Sequence, residues 1–411
     1  MPPKKGPDEA TEAFLRAAFQ RYYKTAEIRG PERLRRREFG FMPFGGGMME
    51  RHRGFETLTD VKTHLVARVP AHVYYSTAYY DRPGAPTMDE KGWRGADLIF
   101  DLDADHLPGA AKMTYPEMLA KVKEKFVYLL DDFLLGDLGF EESALLIVFS
   151  GGRGYHAHVH DPRVLAMGSH ERRELVDYIT GKEIDPEVLS LDIAYDRATF
   201  RESVRVKRTP RLHAAGAPGW GGRVTRTLAA WIQDLGTRPK EEAVAELVRL
   251  AGLTPRDAGA LYRRVFEDPN LSSEVALRKL REGLVDFFPA EMRVRPDTLQ
   301  SMAVNAAVPL SKGETDEPVT SDIKRLIRLP TSLHGRTGLR VVSMSRRDLD
   351  AFDPLRDAVP DTFDDSAVAV TVEKPVSLPL RDESFNLKEG VTEIPQFAAV
   401  FLAARGLARV S

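Results

Sequence analysis

The sequence predicts an α/β fold, in which short buried strands alternate with helices and a separate helical segment is inserted. Three observations predict it. Residues 96–105 and 144–149 have the apolar patterns of buried strands, the first alternating and the second continuous. Residues 113–133 place apolar side chains at the spacing of an amphipathic helix. Residues 225–288 then repeat helical spacing between glycine and proline breaks, which predicts the insert.

Composition limits the classes of function that the chain can serve. Its 411 residues, 43% of them hydrophobic, can bury one large core or two linked cores. The formal net charge of −2 gives no overall attraction to nucleic acid, so any basic binding surface must be local. The chain has no cysteine, which excludes thiolate zinc sites and cysteine nucleophiles. Residues 1–12 are polar and no apolar run could span a bilayer, so we expect a cytoplasmic protein without membrane association.

Two acidic residues end the first predicted strand. Side chains alternate along a strand, so Leu98, Phe100 and Leu102 should face a core. Asp101 and Asp103 then share the opposite face, with Cβ atoms roughly 6–7 Å apart. Like charges at this separation repel each other, and binding of Mg²⁺ would relieve the repulsion. An edge strand with a solvated acidic end would show the same pattern, so both interpretations stay open.

A cluster of basic residues precedes these strands. Residues 33–37 hold four arginines, and Arg51 and Arg53 follow beyond a glycine turn at 45–47. Such a cluster is typical of a solvated surface. It would also suit a polyphosphate or a nucleic-acid backbone.

The second predicted strand runs directly into a glycine-rich turn. Residues 150–154 are Ser-Gly-Gly-Arg-Gly, and backbone N–H groups of such a turn can converge on an anion. Arg153 can add a bidentate contact to a phosphate. We expect a strand–turn–strand hairpin with Ser150 and His156 at its two shoulders.

Three histidines at alternate positions follow the turn. His156, His158 and His160 would share one face of a strand, and three imidazoles can bind zinc. Neighbouring positions diverge on a twisted sheet, however, and no separate histidine-rich segment completes such a site. The favoured interpretation is a mixed role, with His156 at a ligand and the other two structural.

Two further stretches combine charge with turn residues. Residues 201–226 are dense in arginine and hold Trp220 among glycines and prolines, which predicts a loop that follows a phosphate backbone and stacks a base. Residues 316–339 combine carboxylates, a basic amphipathic segment and a turn with His334. Each stretch alone would suit a solvated surface equally well. Residues 289–309 lead back toward sheet-like material, and residues 394–407 have a helical pattern.

Four of these stretches together resemble the small catalytic subunit of the archaeal and eukaryotic type of DNA primase, and the archaeal branch in particular. They are Arg-Glu-Phe-Gly-Phe at 37–41, Phe-Asp-Leu-Asp-Ala-Asp at 100–105, Ser-Gly-Gly-Arg-Gly-Tyr-His at 150–156, and residues 316–339. The resemblance implies a primase-type catalytic core over residues 1–345, with a mixed β-sheet flanked by helices. Residues 225–290 would be a helical insert in it, and residues 346–411 a C-terminal extension that packs on the core.

The resemblance also implies roles for individual residues as metal ligands, as triphosphate contacts and in supporting positions. Asp101, Asp103 and Asp316 look like the carboxylates that hold two Mg²⁺ or Mn²⁺ ions, with Asp322 as the alternative to Asp316. Ser150, Arg153, His156, Arg328 and His334 look like contacts to the triphosphate of the incoming nucleotide. Arg51 and Glu38 occupy plausible supporting positions, Arg51 as a further nucleotide contact. The implied reaction is template-dependent primer synthesis on single-stranded DNA by nucleotidyl transfer.

One departure from the family concerns zinc. Relatives commonly carry a cysteine-based zinc knuckle between the aspartate pair and the glycine turn, whereas residues 106–142 have no cysteine and only His106 as a soft ligand. We therefore expect no such zinc site and a loop at 108–112 in its place. The family also implies a large primase subunit with an iron–sulfur cluster as partner, and this chain has no thiolates for that cluster.

Two other functions fit parts of the same pattern. A repair polymerase of the ligase-associated kind shares the three carboxylates, although the run from Arg328 to Gly335 favours the replicative primase. A non-catalytic nucleic-acid-binding subunit could keep the fold without the chemistry, although the retained carboxylates argue against it.

Overall fold

The computed structural model describes residues 8–106, 109–200, 203–289, 292 and 296–410. The chain divides into two compact units, Met1–Val176 with Glu314–Ser411, and Asp177–Gly313. The second unit begins earlier and ends later than the insert expected at 225–290. Strands and helices alternate through the first unit, which confirms the α/β class.

The first part of the larger unit contains eight strands and five helices. Its strands are β1 (Phe39–Met42), β2 (Glu50–Arg53), β3 (His72–Ser76), β4 (Ala78–Tyr80), β5 (Trp93–Ala96), β6 (Leu98–Asp103), β7 (Leu145–Phe149) and β8 (Gly154–Val159). Its helices are α1 (Glu9–Thr25), α2 (Leu58–Arg68), α3 (Met88–Lys91), α4 (Tyr115–Tyr128) and α5 (Ser169–Thr180), and α4 continues as a π-helix over Leu129–Asp137.

The second unit follows with one hairpin and a series of helices. These elements are β9 (Ser190–Phe200), β10 (Ser203–Leu212), α6 (Gly219–Leu235), α7 (Lys240–Ala251), α8 (Pro255–Tyr262), α9 (Ser273–Arg281), α10 (Pro296–Met302) and α11 (Val308–Ser311). The helices predicted over 225–288 are therefore confirmed. The described part of residues 289–309 is largely helical, and the next strand begins at Leu326.

The chain then returns to the larger unit. Its last elements are α12 (Glu317–Ser321), β11 (Leu326–Arg328), β12 (Val342–Met344), α13 (Arg346–Ala351), α14 (Pro354–Asp357), β13 (Ala367–Val372), β14 (Val376–Leu380), β15 (Glu383–Leu387), β16 (Gly390–Pro395), α15 (Gln396–Ala404) and β17 (Ala408–Val410). The C-terminal segment packs on α1. The Val410 N–H donates to the Thr11 hydroxyl at 3.0 Å, and Arg21 donates to the Gln396 side chain at 2.8 Å.

Two four-stranded sheets form the centre of the larger unit. Their strand orders are β11-β3-β1-β2 and β12-β7-β8-β6. Every pairing in these two sheets is antiparallel, so the sheet is not of the mixed kind that the resemblance implied. Smaller sheets join β4 with β5, β13 with β16 and β17, and β14 with β15. No helix among the described residues is long and apolar enough to cross a membrane.

The predicted strands and amphipathic helix are present. Leu98, Phe100 and Leu102 of β6 are buried, as the alternation predicted. The turn closes an antiparallel hairpin of β7 and β8, with Phe149 opposite Tyr155. Helix α4 begins with a capping box at Thr114 and turns its apolar face inward.

The loop predicted over 201–226 is wrong. Strand β10 and helix α6 occupy most of this stretch, and the Trp220 indole is buried and donates to the Tyr178 carbonyl at 2.8 Å. Its glycines serve close packing, because a Cβ at Gly222 would lie 1.9 Å from the carbonyl oxygen of Ala217. Arg201 and the side chains predicted to hold template at 205, 207 and 208 lie outside the described residues, as do Pro108 of the predicted loop and the side chain of His106.

A buried ion pair fixes the start of β6. Nη2 of Arg37 lies 2.6 Å from Oδ2 of Asp97, and both side chains are 1% exposed. The same guanidinium donates to the carbonyls of Ser76 and Thr77, and it stacks 3.7 Å from the ring centroid of Tyr79. The Tyr79 hydroxyl donates to the other carboxylate oxygen of Asp97. These bonds satisfy a charge pair that would otherwise be costly to bury.

We expect Asp97→Asn to lower the free energy of unfolding by about 3–5 kcal/mol, because it leaves Arg37 buried without a counter-charge. Urea unfolding followed by circular dichroism measures the change. The control is Arg35→Ala, which removes an arginine that is 71% exposed and pairs with Glu56. The control should stay within about 0.5 kcal/mol of the unaltered chain. Equal stabilities of the two variants would contradict this role of the pair.

Candidate functional site

The backbone brings two distant acidic residues together at the end of β6. The N–H of Asp316 donates to the carbonyl oxygen of Asp101 at 2.8 Å, and the Thr315 hydroxyl donates to the same oxygen at 3.2 Å. Asp103 follows two residues along the strand. We call Asp101, Asp103 and Asp316 the acidic cluster. The alternative ligand Asp322 lies at the other end of α12, where its Oδ1 accepts the N–H of Lys324.

Asp101 is the most constrained carboxylate of the acidic cluster. Its pKa is raised to about 7, chiefly by burial and then by the negative charges of Asp103 and Asp316. Within the described part of the chain its buried Oδ1 accepts no hydrogen bond, although Nε2 of His156 lies 3.2 Å away in an orientation that forms none. Burial lowers the pKa of His156 to about 3, so that imidazole is neutral and contributes no balancing charge.

An unsatisfied carboxylate oxygen among like charges suits a hard cation, because Mg²⁺ and Mn²⁺ prefer oxygen ligands. Within the described ranges, no three His, Asp or Glu side chains form a ready-made metal group. Mg²⁺ commonly takes only one or two protein carboxylates and completes its shell with water and substrate phosphates. The acidic cluster fits a cation that is bound together with a phosphate ligand.

The glycine turn is organised by its own serine. The hydroxyl oxygen of Ser150 accepts the backbone N–H groups of Gly152 and Gly154, each at 3.3 Å. The Ser150 hydroxyl therefore occupies two of the backbone N–H groups of the predicted anion cradle. Gly154 is required by packing, because a Cβ there would lie 2.6 Å from the carbonyl oxygen of Leu102 on β6.

Arg153 extends from this turn toward the acidic cluster. Its guanidinium forms an ion pair with Asp105 and lies 3.7 Å from Oδ1 of Asp103. The side chain is 40% exposed, so a ligand can reach it. The structure thus brings the predicted phosphate-binding arginine next to one of the predicted metal ligands.

His334 packs directly on the glycine turn. A Cβ at Gly152 would lie 3.0 Å from its Nε2, and one at Gly151 would lie 2.8 Å from its Cβ. The Thr337 hydroxyl donates to the Gly151 carbonyl and closes this contact. The Arg336 N–H donates to Nδ1 of His334. Burial holds the pKa of His334 well below its usual range, so the ring is neutral where it packs on the turn.

His72 is a member of the site that sequence reasoning missed. Nη1 of Arg328 lies 2.8 Å from Nδ1 of His72, and the N–H of Gly335 donates to the same nitrogen at 3.1 Å. The His72 and His334 rings meet edge to face, with centroids 4.8 Å apart. Burial, with smaller effects of Arg328 and Arg336, lowers the pKa of His72 to about 3. The neutral imidazole accepts hydrogen bonds from Arg328 and from the Gly335 N–H. It thereby orients Arg328 and, through the ring contact, His334, which are both predicted triphosphate contacts.

Arg51 lies in a different cluster. Its Nε is 3.2 Å from Oε1 of Glu38, and the buried Lys91 ammonium pairs with the other oxygen of that carboxylate at 2.6 Å. The described contacts of Arg51 are with Glu38, and none joins it to Asp101. The structure pairs Arg51 with Glu38, and among the described residues it gives no contact that links Arg51 to the acidic cluster.

The three alternating histidines lie along β8 with separate partners. The His158 ring is buried, with Nδ1 3.2 Å from the Tyr75 hydroxyl. Nε2 of His160 lies 3.7 Å from Oδ2 of Asp97. His156 alone of the three meets Asp101. The three rings thus have different surroundings, and their mixed role stays a prediction.

We expect His72→Phe to flatten the pH dependence of stability. The pKa of His72 in the folded chain, about 3, lies below the ordinary 6.5, so the unfolded chain takes up a proton first as the pH falls. Its contribution is complete above pH 6.5 and is lost toward pH 3, at about 1.4 kcal/mol per pH unit. Urea unfolding at several pH values measures the slope. Between pH 6.5 and pH 3, the free energy of unfolding of the variant should fall less steeply with decreasing pH than that of the unaltered chain, by this amount. Above neutrality the two slopes should be equal. Identical slopes in acid would contradict the prediction.

Comparison with known proteins shows which family this chain resembles. The family described as "DNA primase small subunit" matches residues 100–346. The chain is 44% identical to the DNA primase small subunit PriS of Methanothrix thermoacetophila, over 98% of this chain and 100% of that protein. It is 40% identical to the protein of that name from Methanocella arvoryzae and 42% identical to the one from Halobacterium salinarum, over 98% of this chain and at least 98% of each relative. The chain belongs to the DNA primase small-subunit family.

Proposed function

We propose that this chain is the catalytic subunit of a DNA primase and that it synthesises short primers on single-stranded DNA. The observation that carries the proposal is the 2.8 Å backbone hydrogen bond from Asp316 to Asp101, because it joins the third carboxylate to the strand that carries the other two. The family supports a polymerase-type nucleotidyltransferase that acts on DNA and nucleotides. A single-stranded template and nucleoside triphosphates are the substrates that we infer.

The acidic cluster is the site that we propose for two Mg²⁺ or Mn²⁺ ions. When bound, the ions would activate the attacking 3′-hydroxyl and neutralise the charge of the leaving pyrophosphate. Asp101, Asp103 and Asp316 would hold them as oxygen ligands. The unsatisfied Oδ1 of Asp101 supports this assignment, since a buried carboxylate beside two others gains most from a cation. The predicted absence of a cysteine zinc site remains a prediction from the sequence.

The remaining site residues would position the triphosphate and stabilise its charge. Arg153 can form a bidentate contact with phosphate oxygens, and the neutral His334 ring packs on the turn that carries Arg153. Arg328, held by His72, adds a second positive charge. These contacts contribute orientation and electrostatic stabilisation, and no side chain of the site is needed as a nucleophile. His156 and Ser150 shape the hairpin that presents Arg153.

We also propose that the chain works with a large primase subunit. The relatives' names call them small subunits, which supports a second subunit in the enzyme. An iron–sulfur cluster with cysteine ligands would belong to that partner, because this chain has no cysteine.

Incubation of the chain with unprimed circular single-stranded DNA, nucleoside triphosphates and Mg²⁺ or Mn²⁺ tests the proposed function. We expect short templated products from the unaltered chain and none from Asp101→Asn with an unchanged circular dichroism spectrum. Extension confined to gapped DNA with a 5′-phosphate would instead identify a repair-type polymerase. Absence of incorporation on every template would identify a non-catalytic nucleic-acid-binding subunit.

The identity of the third carboxylate is tested by a matched pair of variants. We expect Asp316→Asn to reduce the rate of nucleotide incorporation at least about a hundredfold, the loss typical of removing one electrostatic contributor to catalysis. The backbone N–H that bonds to Asp101 is retained in this variant, so the strand position is preserved. Asp322→Asn, at the other end of the same short helix, should keep the rate within about twofold. The reverse ranking would assign the role to Asp322.

A further inference from the structure

A small cavity of about 330 Å³ lies beside the start of β6, away from the acidic cluster. We call it the arginine pocket. Its lining consists of Arg33, Arg36, Tyr79, Asp81 and Arg94. The site described above uses none of these residues, although Arg33 and Arg36 belong to the basic cluster that the sequence singled out.

The arginine pocket carries uncompensated positive charge. Asp81 pairs with both Arg36 and Arg94, the latter at 2.7 Å. The guanidinium of Arg33 has no acidic partner within the part of the chain that the structure describes. Three positive side chains therefore share one carboxylate, and an anion entering the pocket meets a surplus of donors. Arginine clusters of this kind recognise phosphate through bidentate hydrogen bonds.

Arg33 is held in place before any ligand arrives. Its backbone has a φ of 52°, a left-handed conformation that is costly for a residue with a side chain. Its guanidinium lies 4.9 Å from the ring centroid of Tyr79, on a ring that also stacks with Arg37. The Tyr79 hydroxyl is anchored to Asp97 at 2.6 Å. The local strain and the anchored ring together direct Arg33 into the pocket.

The same anchor relates the pocket to the acidic cluster. Asp97 stands four residues before Asp101, and four residues of extended chain span at most about 13 Å. The residue that anchors Tyr79 is therefore a near neighbour, along the chain, of the acidic cluster.

We propose that the arginine pocket binds a backbone phosphate of the single-stranded template. The inference rests on the proposed function, because a template must be present. Arg33 and Arg94 would contact the phosphate, while Asp81 keeps Arg36 and Arg94 oriented. The pocket then contributes affinity and register without contacting the reacting atoms.

The test is the salt dependence of template binding, measured by fluorescence anisotropy with labelled single-stranded oligothymidylate and the full chain. We expect the double variant Arg33→Gln/Arg94→Gln to reduce the slope of log K against log [salt] by about 0.7, the value for one phosphate contact to a single strand. The matched control is Arg35→Gln, which removes a charge from the same segment but one that pairs with Glu56 outside the pocket. The control should keep the slope of the unaltered chain.

Three outcomes would overturn the proposal. Equal slopes for the double variant and the unaltered chain would leave the pocket without a phosphate of the template. An unchanged slope with a raised KM for nucleoside triphosphate would assign the pocket to the free nucleotide. An equal reduction of the salt slope in Arg35→Gln would show that a diffuse basic surface, rather than the pocket, binds the template. Template binding is measured without nucleotide incorporation, so the two proposals can fail separately. If the unaltered chain synthesises primers but the double variant keeps the salt slope, only the role of the pocket is refuted. If the unaltered chain incorporates no nucleotide, the proposed function is refuted.

Discussion

The buried ion pair between Arg37 and Asp97 holds the start of the strand on which the candidate site depends. A carboxylate directly precedes strand β6 and others lie near its end, and the negative charges at these two places are compensated differently. At its start, the Asp97 carboxylate is satisfied by a guanidinium and a tyrosine hydroxyl. At its far end, Asp101 faces other carboxylates and keeps an oxygen without a hydrogen-bond partner. The first arrangement stabilises the fold, and the second leaves binding energy for a ligand.

Contacts between residues far apart in sequence complete the site. The bond from Asp316 to Asp101 adds a carboxylate to β6, and the contact of His334 with the glycine turn adds an imidazole beside Arg153. Both additions come from the segment that follows the second unit. The larger unit therefore needs its two chain segments together before the acidic cluster and the side chains predicted to bind phosphate can meet.

Residue patterns within short stretches of sequence predicted the elements that those stretches form. The alternation in β6, the glycine turn between β7 and β8 and the apolar face of α4 are properties of short stretches, and all three are present. The antiparallel order of the two central sheets depends on pairings between distant strands, which periodicity does not encode. Glycine misled the interpretation of the stretch containing Trp220, because Gly222 makes room for a neighbouring carbonyl inside a helix rather than forming a loop.

The candidate site divides in the same way. Residue motifs and their family resemblance indicated the aspartates, Arg153 and His334. They could not indicate His72, a single histidine in an ordinary strand, whose role comes from accepting N–H groups of Arg328 and Gly335. They also suggested that backbone amides of the glycine turn face an anion, whereas the Ser150 hydroxyl already takes two of them. In each case the deciding partner lies elsewhere in the chain or depends on the detailed turn geometry.

The ion pair of Arg153 with Asp105 has a consequence for how a nucleotide enters. Both side chains are well exposed, and surface pairs of this kind are worth only about 0–1 kcal/mol. Under the proposed function, Asp105 would hold the guanidinium extended and release it at little cost when a more highly charged anion competes. The guanidinium would then exchange one counter-ion for another without a search through rotamers.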